Sequence, residues 1–264
     1  MDLRIFSYLP NPRIWKATIA ARLCSIKIEV VGAHHKDLSR WLWDFEAHLM
    51  TEQDREDFAP YARTSRLGFG GDALYKTDSF LDANPFGTVP AAFSPDGSIG
   101  IFESNSIMRT VARLGSNTCA LYGDDAYSAS RIDSFLDASL VFARDSQLYL
   151  LSLLAGNVQC NLHDSAKQAL HTYLSGLDRA LSPERSYLVG DTLSLADICV
   201  VAELALFMRE LDYEQVLSDA NLRLIYGSEI NERYPLIVNH FHNLCEHEAF
   251  APDVKPYIEK LLVR

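Results

Sequence analysis

The chain has 264 residues, of which 48% are hydrophobic and 22% charged, as expected for one large or two modest globular domains. Its net charge of −11 at pH 7 argues against nucleic acid or an anionic membrane surface as a partner, because both would repel it. The apolar run Ile198–Phe207 is interrupted by Glu203 and is too short to span a bilayer, so no membrane association is expected.

Cysteine usage indicates the compartment. The five cysteines form no CxxC pair, and their odd number is typical of reduced thiols in the cytoplasm rather than of a disulfide framework or a zinc site. Cys24 is expected to be a small core residue. Met1 runs directly into a strand-like segment, so no secretory leader is expected. These features predict a cytoplasmic protein without a bound metal.

The first elements follow a strand–helix–strand order. Leu3–Tyr8 and Ile26–Val31 alternate as half-buried strands do, and Pro12–Leu23 between them has helical spacing. Pro12 suits the first turn of a helix. A unit of this length makes its two strands parallel.

A second pair of strands predicts a hairpin. Ala91–Phe93 and Ile99–Phe102 are joined by a Pro-Asp-Gly turn, which favours an antiparallel pair. Ser104–Leu114 then has a helical pattern closed by Gly115. Residues 1–116 are therefore expected to form an α/β domain with a mixed sheet.

The connection at about 33–78 is longer than is usual between a strand and a helix. It is rich in aromatic and acidic residues, and Ser39–Leu49 within it has the pattern of an amphipathic helix. The segment either packs on itself as a surface insertion or serves as a lid or a partner contact.

Strand patterns end near Asp124, and residues 122–264 are expected to form an all-helical domain. The predicted helices are Ala126–Leu154, Asp164–Leu181, Ser194–Arg209, Glu229–Glu246 and Val254–Leu262. Ser194 is predicted to cap the third helix with Asp197 reaching back to it, which gives Asp197 a structural role.

The stretch Asn84–Ser104 predicts a binding site. A proline that opens a strand donates no ladder hydrogen bond, and a cis Val89-Pro90 bond there turns the backbone of Val89 outward to a ligand. Glu103 and Ser104 begin a helix whose free N–H groups and dipole attract a carboxylate, while Glu103 can bind an ammonium group. A small acidic peptide such as glutathione fits this arrangement.

Four segments, taken in order and spacing, resemble one family. They are FSYLPNPRIWKATIAA (Phe6–Ala21), NPFGTVP (Asn84–Pro90), FESNSI (Phe102–Ile107) and YLVGDTLSLADICVV (Tyr187–Val201). The chain resembles the cytosolic glutathione S-transferase superfamily, and most of all the transferase-like domain of the translation elongation factor 1B gamma subunit. The resemblance implies a thioredoxin-like N-terminal domain, a helical-bundle C-terminal domain, and glutathione bound by Val89, Pro90, Glu103 and Ser104.

The resemblance also implies candidates for stabilising the glutathione thiolate, which is the nucleophilic form. They are Tyr8, Asn11 and Arg13, for which the alternatives are a core aromatic, a turn residue and a surface residue. Pro12 stands where serine-type transferases have their catalytic serine, and this departure puts ordinary conjugation in doubt. Lys16 also matches the gamma-subunit relatives and is expected to point to solvent or to a dimer neighbour.

The function implied by the resemblance is attack of glutathione thiolate on a hydrophobic electrophilic small molecule, with aryl-ether cleavage as a more specific possibility. Phe135, Phe142 and Tyr149 share one helix face and are either core or substrate pocket. The alternative is a non-catalytic interaction module or the silent subunit of a heterodimer. Either a homodimer or a heterodimer with a related subunit is expected.

Overall fold

The structure is a computed structural model, and it describes residues 1–64, 73–116, 119–181 and 185–262. The chain divides into two compact units, Met1–Cys119 and Ala120–Arg264. Within the described ranges, the first unit combines strands with helices and the second unit is helical.

The first unit contains two four-stranded sheets. The strands are β1 (Leu3–Tyr8), β2 (Ile28–Ala33), β3 (Trp41–Trp43), β4 (His48–Leu49), β5 (Ala62–Thr64), β6 (Ala73–Lys76), β7 (Ala91–Phe93) and β8 (Gly100–Phe102). The helices of this unit are α1 (Pro12–Cys24), α2 (Glu52–Asp57), α3 (Asp78–Ala83) and α4 (Ser104–Leu114).

The first sheet has the order β2-β1-β7-β8. β1 and β2 are parallel, from Leu3 opposite Ile28 to Tyr8 opposite Ala33, whereas β7 is antiparallel to both β1 and β8. The predicted mixed sheet of a thioredoxin-like domain is therefore confirmed. The side chains of Leu3 and Ile5 are almost completely buried in β1.

The long connection forms a second sheet in the order β4-β3-β6-β5. The amphipathic helix predicted over Ser39–Leu49 is wrong, because a 3-10 turn at His35–Arg40 is followed by β3 and β4. Aromatic side chains such as Trp41 and Trp43 favour a pleated surface, and β3 pairs in parallel with the distant β6.

The second sheet shares its core with the first. Buried side chains from both parts form one cluster, which consists of Phe6, Leu38, Trp43, Ala47, Leu74, Phe80, Ala91 and Phe93. The Trp43 ring packs edge-on against Phe6 at 5.3 Å, and its Nε1–H donates to the carbonyl oxygen of Leu38 at 3.0 Å. The connection is thus packed into the first unit; its residues 65–72 lie outside the described part.

Cys24 and Cys119 form a disulfide, so the expectation of reduced thiols is wrong for these two residues. Cys24 ends α1 and is fully buried, as predicted for a core residue. Gly115, just after α4, approaches so closely that an added Cβ would lie 2.4 Å from the Cβ of Cys24. The bond therefore depends on the packing of α1 against α4, and a separation of 95 residues gives no sequence signal for it.

The described residues of the second unit form seven α-helices and one 3-10 helix, Met208–Tyr213. The α-helices are α5 (Ala126–Leu154), α6 (Cys160–Ala180), α7 (Leu195–Phe207), α8 (Glu214–Asp219), α9 (Ser228–Arg233), α10 (Pro235–Glu246) and α11 (Ala251–Leu262). The predicted helix Glu229–Glu246 is interrupted before Pro235, because proline disfavours a helical conformation at the preceding residue. Among the described helices, none is long and apolar enough to cross a membrane.

Asp197 connects three parts of the second unit, and its predicted capping role is confirmed. Its Oδ2 accepts from the backbone N–H of Ser194 at 2.9 Å and from the Ser194 hydroxyl at 2.8 Å. Its Oδ1 accepts from the backbone N–H of Leu188 and lies 2.9 Å from Nε2 of His240 in α10. The carboxylate therefore joins the start of α7 to a preceding loop and to a distant helix.

Candidate functional site

The topology of the first sheet brings most of the predicted site residues to one edge. Phe6 of β1 pairs with Ala91 of β7, and Ala91 pairs with Phe102 of β8. Tyr8 ends β1 and Glu103 follows β8, and β7 is antiparallel to both strands, so both residues lie at the edge where β7 begins. The segment Val89-Pro90 leads into β7 at that same edge.

The Val89-Pro90 peptide bond is cis, as the sequence predicted, and Leu9-Pro10 is a second cis bond that it did not predict. Pro90 is buried and Val89 is half-buried. In the described part of the chain, no hydrogen bond occupies the backbone N–H or C=O of Val89. An unpaired backbone at Val89 is what the predicted ligand contact requires.

Lys76 of the second sheet supports the loop before Val89. Its Nζ donates to the carbonyl oxygen of Gly87 at 2.7 Å and lies 4.7 Å from the centre of the Trp43 ring. Burial, with a smaller effect of Arg63, lowers the pKa of Lys76 from its ordinary value. The long connection thus contributes directly to the position of the predicted binding loop.

Glu103 and Ser104 lie at the start of α4, where the sequence placed them. Glu103 is exposed and has φ 67° and ψ 123°, an unfavourable backbone conformation for a residue with a Cβ. Ser104 is only 6% exposed and is the first residue of the helix. The free N–H groups of the first turn and the positive end of the helix dipole make this position suited to an anion.

Lys16 is fully buried, so the expectation that it points to solvent or to a dimer neighbour is wrong. Its side chain crosses from α1 to the first turn of α4. There Nζ donates to Oδ1 of Asn105 at 2.7 Å and to Oγ of Ser104 at 3.3 Å. The reason is the packing of α1 against α4, which surrounds Lys16 on the buried face of α1.

Asn11 holds the loop between β1 and α1. It is 1% exposed, its Oδ1 accepts from the backbone N–H of Arg13 at 3.0 Å, and its Nδ2 donates to Oγ of Ser7 at 3.1 Å. The residue therefore caps α1, which agrees with the turn-residue alternative. Pro12 occupies the first helical position, as predicted.

Tyr8 and Arg13 are both half-buried. Tyr8 packs on the edge of the shared core cluster at the end of β1, and Arg13 lies in the first turn of α1. Their chain positions place both at the site edge of the sheet, beside the positive end of α1. Both residues therefore remain candidates for contact with the thiol.

A groove of about 1130 Å³ lies between α5 and α6 of the second unit. Its aromatic wall includes Phe135, Phe142 and Tyr173, and the last two rings stack at 4.7 Å. Of the three aromatic residues assigned to core or pocket, Phe142 and Tyr149 are buried, and the Tyr149 hydroxyl donates to Glu210. Phe135 is half-buried and lines the groove.

A glutathione S-transferase C-terminal domain model matches residues 160–248 of the chain. Elongation factor 1-gamma from Artemia salina is 33% identical over 260 residues, which cover 97% of this chain and 50% of that protein. The glutathione S-transferase-like protein FUS3 from Gibberella moniliformis is 27% identical over 239 residues, or 86% of this chain and 90% of that protein.

The fold agrees with these matches. A glutathione S-transferase from Methylobacterium radiotolerans, solved in complex with glutathione sulfonate, has a TM-score of 0.62 and 16% identity and covers 96% of this chain and 95% of its own. The chain is thus similar in both sequence and fold to the glutathione S-transferase superfamily. Both the thioredoxin-like domain and the helical domain of that superfamily are present.

The chain spans between 30% and 50% of the length of the elongation factor 1-gamma relatives that it matches. The activity, ligands and partners of those longer proteins therefore cannot be assigned to this chain from the matches alone. The family likeness is also uneven along the chain, since the domain model matches only the second unit.

Sequence reasoning missed Lys76 and placed Lys16 wrongly at the surface. Both matter through contacts with residues far along the chain, Ser104 and Asn105 in one case and Gly87 in the other. A lysine within an otherwise apolar helix face was the one available signal, since Lys16 lies between Ile14 and Ile19 on the buried side of α1.

Proposed function

We propose that the chain binds glutathione at the edge of the first sheet and activates its thiol for attack on a hydrophobic electrophile. The observation that carries this proposal is the convergence of the open Val89 backbone with the start of α4 at one edge. The glutathione sulfonate complex of the structural neighbour from Methylobacterium radiotolerans supports the same ligand class.

The tripeptide is accommodated in two places. Its cysteinyl backbone pairs with the N–H and C=O of Val89, in the way that a strand pairs with an edge. Its glutamyl α-carboxylate lies at Ser104 and the free N–H groups of α4, and its ammonium group lies near Glu103. Pro90 holds the turn that presents Val89.

The residues that activate the thiol lie in the loop between β1 and α1 and in the first turn of α1. Tyr8, Asn11 and Arg13 are the candidate donors to the sulfur, and the positive end of α1 favours a thiolate beside them. Asn11 also caps α1 and donates to Ser7, so its part in activating the thiol must be compatible with these two contacts. The similar proteins described above do not support aryl-ether cleavage in particular. The proposed substrate is therefore a hydrophobic electrophilic small molecule, without a more specific chemical class.

Calorimetry with glutathione and a conjugation assay with 1-chloro-2,4-dinitrobenzene test the proposal together. Saturable binding with turnover supports it, and a loss of turnover in Tyr8→Phe or Arg13→Gln with glutathione affinity retained identifies the donor. Arg55→Gln serves as the control, because Arg55 is exposed on α2 and lies outside the proposed site. Absence of glutathione binding refutes the proposal.

A second candidate is a non-catalytic interaction module. The similarity to elongation factor 1-gamma and the proline at the usual serine position favour it. Glutathione binding without turnover, together with a stoichiometric partner that co-purifies with the chain, supports this candidate over the enzyme.

The proposal includes association with another subunit through α5. Tyr127, Val141 and Leu148 are spaced by multiples of seven residues and so share a face, and they are 90%, 66% and 44% exposed. Exposed apolar side chains aligned in this way are typical of an interaction surface. The same contact serves a homodimer or a heterodimer with a related chain.

A further inference from the structure

Lys76 contacts the loop before Val89 from outside that loop. Lys76 is the last residue of β6, in the second sheet. Its Nζ donates to the carbonyl oxygen of Gly87, 11 positions further along the chain, at 2.7 Å. Gly87 comes two residues before Val89, the proposed contact for the cysteinyl backbone of glutathione. The second sheet therefore has a direct polar contact with the segment that positions this backbone.

Two successive carbonyl groups of the loop, residues 84–90, accept from side chains. Lys76 donates to the first, at Gly87, and Nδ2 of Asn84 donates to the second, the carbonyl oxygen of Thr88, at 2.7 Å. Asn84 is fully buried and belongs to the loop itself, whereas Lys76 belongs to a separate sheet. Asn84 therefore stabilises the turn locally, and Lys76 ties the turn to another part of the unit.

Gly87 is the residue on which this contact acts. Its φ is 59°, which favours glycine, and an added Cβ would lie 3.3 Å from Nζ of Lys76 and 3.1 Å from Cδ2 of Leu81. Glycine has more backbone freedom to lose than any other residue. A hydrogen bond that fixes Gly87 therefore removes freedom that a ligand would otherwise have to remove when it binds to the loop.

The platform under Lys76 is well anchored. Nζ lies 4.7 Å from the centre of the Trp43 ring, which is a cation–π contact. Trp43 is 1% exposed, and its ring packs edge-on against Phe6 at 5.3 Å and Phe80 at 5.9 Å. The ammonium group is thus held between a buried ring of the core cluster and a backbone carbonyl of the loop.

We propose that Lys76 is a positioning residue that sets the affinity for glutathione by ordering the 84–90 loop in the absence of the ligand. The inference rests on the proposed function and adds to it a role for the second sheet. Lys76 acts through the carbonyl oxygen of Gly87 and does not touch the ligand. Its removal should weaken binding and leave the chemistry at the thiol unchanged, since the candidate thiol donors lie elsewhere, between β1 and the first turn of α1.

Calorimetry and steady-state kinetics on the purified full chain separate these two effects. Lys76→Met keeps an unbranched side chain and removes the donor, and it is expected to weaken glutathione binding about tenfold, because the ligand must then order the loop. The turnover rate with 1-chloro-2,4-dinitrobenzene at saturating glutathione should stay within about twofold of wild type. Lys27→Met removes an exposed lysine from the same unit and should match wild type in both measurements.

A second ligand distinguishes positioning from direct contact. Glutathione monoethyl ester, esterified at its glycine, lacks the glycyl charge and keeps the cysteinyl backbone. Because Lys76 acts through the loop, Lys76→Met should weaken both ligands by the same factor, within about twofold. Lys76→Arg keeps a cation and N–H donors and should bind both ligands more tightly than Lys76→Met does.

The failure of the proposed function and the failure of this inference give different results. Wild type that fails to bind glutathione refutes both. Unchanged affinity of Lys76→Met, or Lys76→Arg as weak as Lys76→Met, overturns the inference alone. An effect confined to glutathione and absent for the ester also overturns it, because Lys76 would then contact the glycyl carboxylate.

A fall of the turnover rate at saturating glutathione by more than about tenfold in Lys76→Met likewise overturns the inference, since it assigns Lys76 a general structural role. If wild type binds glutathione without turnover, the comparison of the two ligands decides by itself. If Lys76→Met does not fold, Lys76→Gln, which is uncharged and one atom shorter, replaces it in each comparison.

Discussion

Nε2 of His240 lies 2.9 Å from Oδ1 of Asp197, and both side chains are buried in the second unit. The contact joins α10 to the start of α7, although the two residues are separated by 43 positions. The same carboxylate also accepts hydrogen bonds from the backbone N–H groups of Ser194 and Leu188. Removing it therefore leaves several buried donors without an acceptor.

Asp197→Ala is expected to lower the free energy of unfolding by about 3 kcal/mol, since it removes a helix cap and leaves buried donors unsatisfied. Urea denaturation followed by circular dichroism measures this change. Asp191→Ala, at an exposed position of the same loop, should change it by about 0.5 kcal/mol or less. Equal effects of the two substitutions contradict the structural role of Asp197.

The raised pKa of Glu210 predicts how the free energy of unfolding depends on pH. Burial raises the pKa of Glu210 above its ordinary value of 4.5, although the backbone N–H of Tyr226, the Tyr149 hydroxyl and other contacts act in the opposite direction. Between that value and the raised pKa, the folded state binds more protons than the unfolded state. The free energy of unfolding therefore falls as pH rises through this window.

Glu210→Gln removes that titration and should make the free energy of unfolding less dependent on pH. The wild type is expected to lose stability relative to this variant as pH rises above about 4.5, and the difference becomes constant above the raised pKa. Glu214→Gln, at an exposed position, gives the control slope. A difference that grows in favour of the wild type with rising pH contradicts the prediction.

Ser104→Ala is expected to weaken glutathione binding about tenfold, because it removes one donor to the bound carboxylate. Ser106→Ala alters the same turn of α4 at a residue outside the proposed contacts and should bind as wild type does. Calorimetry measures both affinities. Unchanged binding by Ser104→Ala means that the carboxylate lies elsewhere.

The disulfide predicts a thiol count and a stability change. A thiol reagent applied to the denatured, unreduced chain should modify three of the five cysteines, namely Cys160, Cys199 and Cys245. Cys24→Ser should lower the free energy of unfolding by about 3 kcal/mol through loss of the cross-link, whereas Cys160→Ser at an exposed position should not. Modification of all five thiols would contradict the disulfide and support the reduced cysteines expected from the sequence.

Val141→Asp is expected to weaken self-association or association with a related subunit more than tenfold, because it buries a charge in an apolar contact. Sedimentation equilibrium of the purified chain, with the related subunit added if one co-purifies, measures the effect. Leu262→Asp introduces the same charge at a 63% exposed residue of α11 and should leave association unchanged. Similar behaviour of the two variants means that α5 is not the interface.

Sequence patterns with local causes were sufficient for much of the fold. The alternation in Leu3–Tyr8, the cap of α7 by Ser194 and Asp197, and the hairpin after Pro90 each depend on residues within a few positions of one another. The helix break before Pro235 also has a local cause, because proline disfavours a helical conformation at the residue before it. The prediction missed this break because the helical pattern continues on both sides of the proline.

The amino-acid sequence by itself determined the strands of the first sheet and their mixed pairing, the helical character of the second unit and the edge at which a ligand is proposed to bind. Only the tertiary structure decided that Lys16 is buried against Ser104, that Cys24 meets Cys119, and that β3 pairs with β6. The reason is physical: local hydrogen bonding and periodicity depend on near neighbours, whereas burial and long-range pairing depend on which distant surfaces pack together.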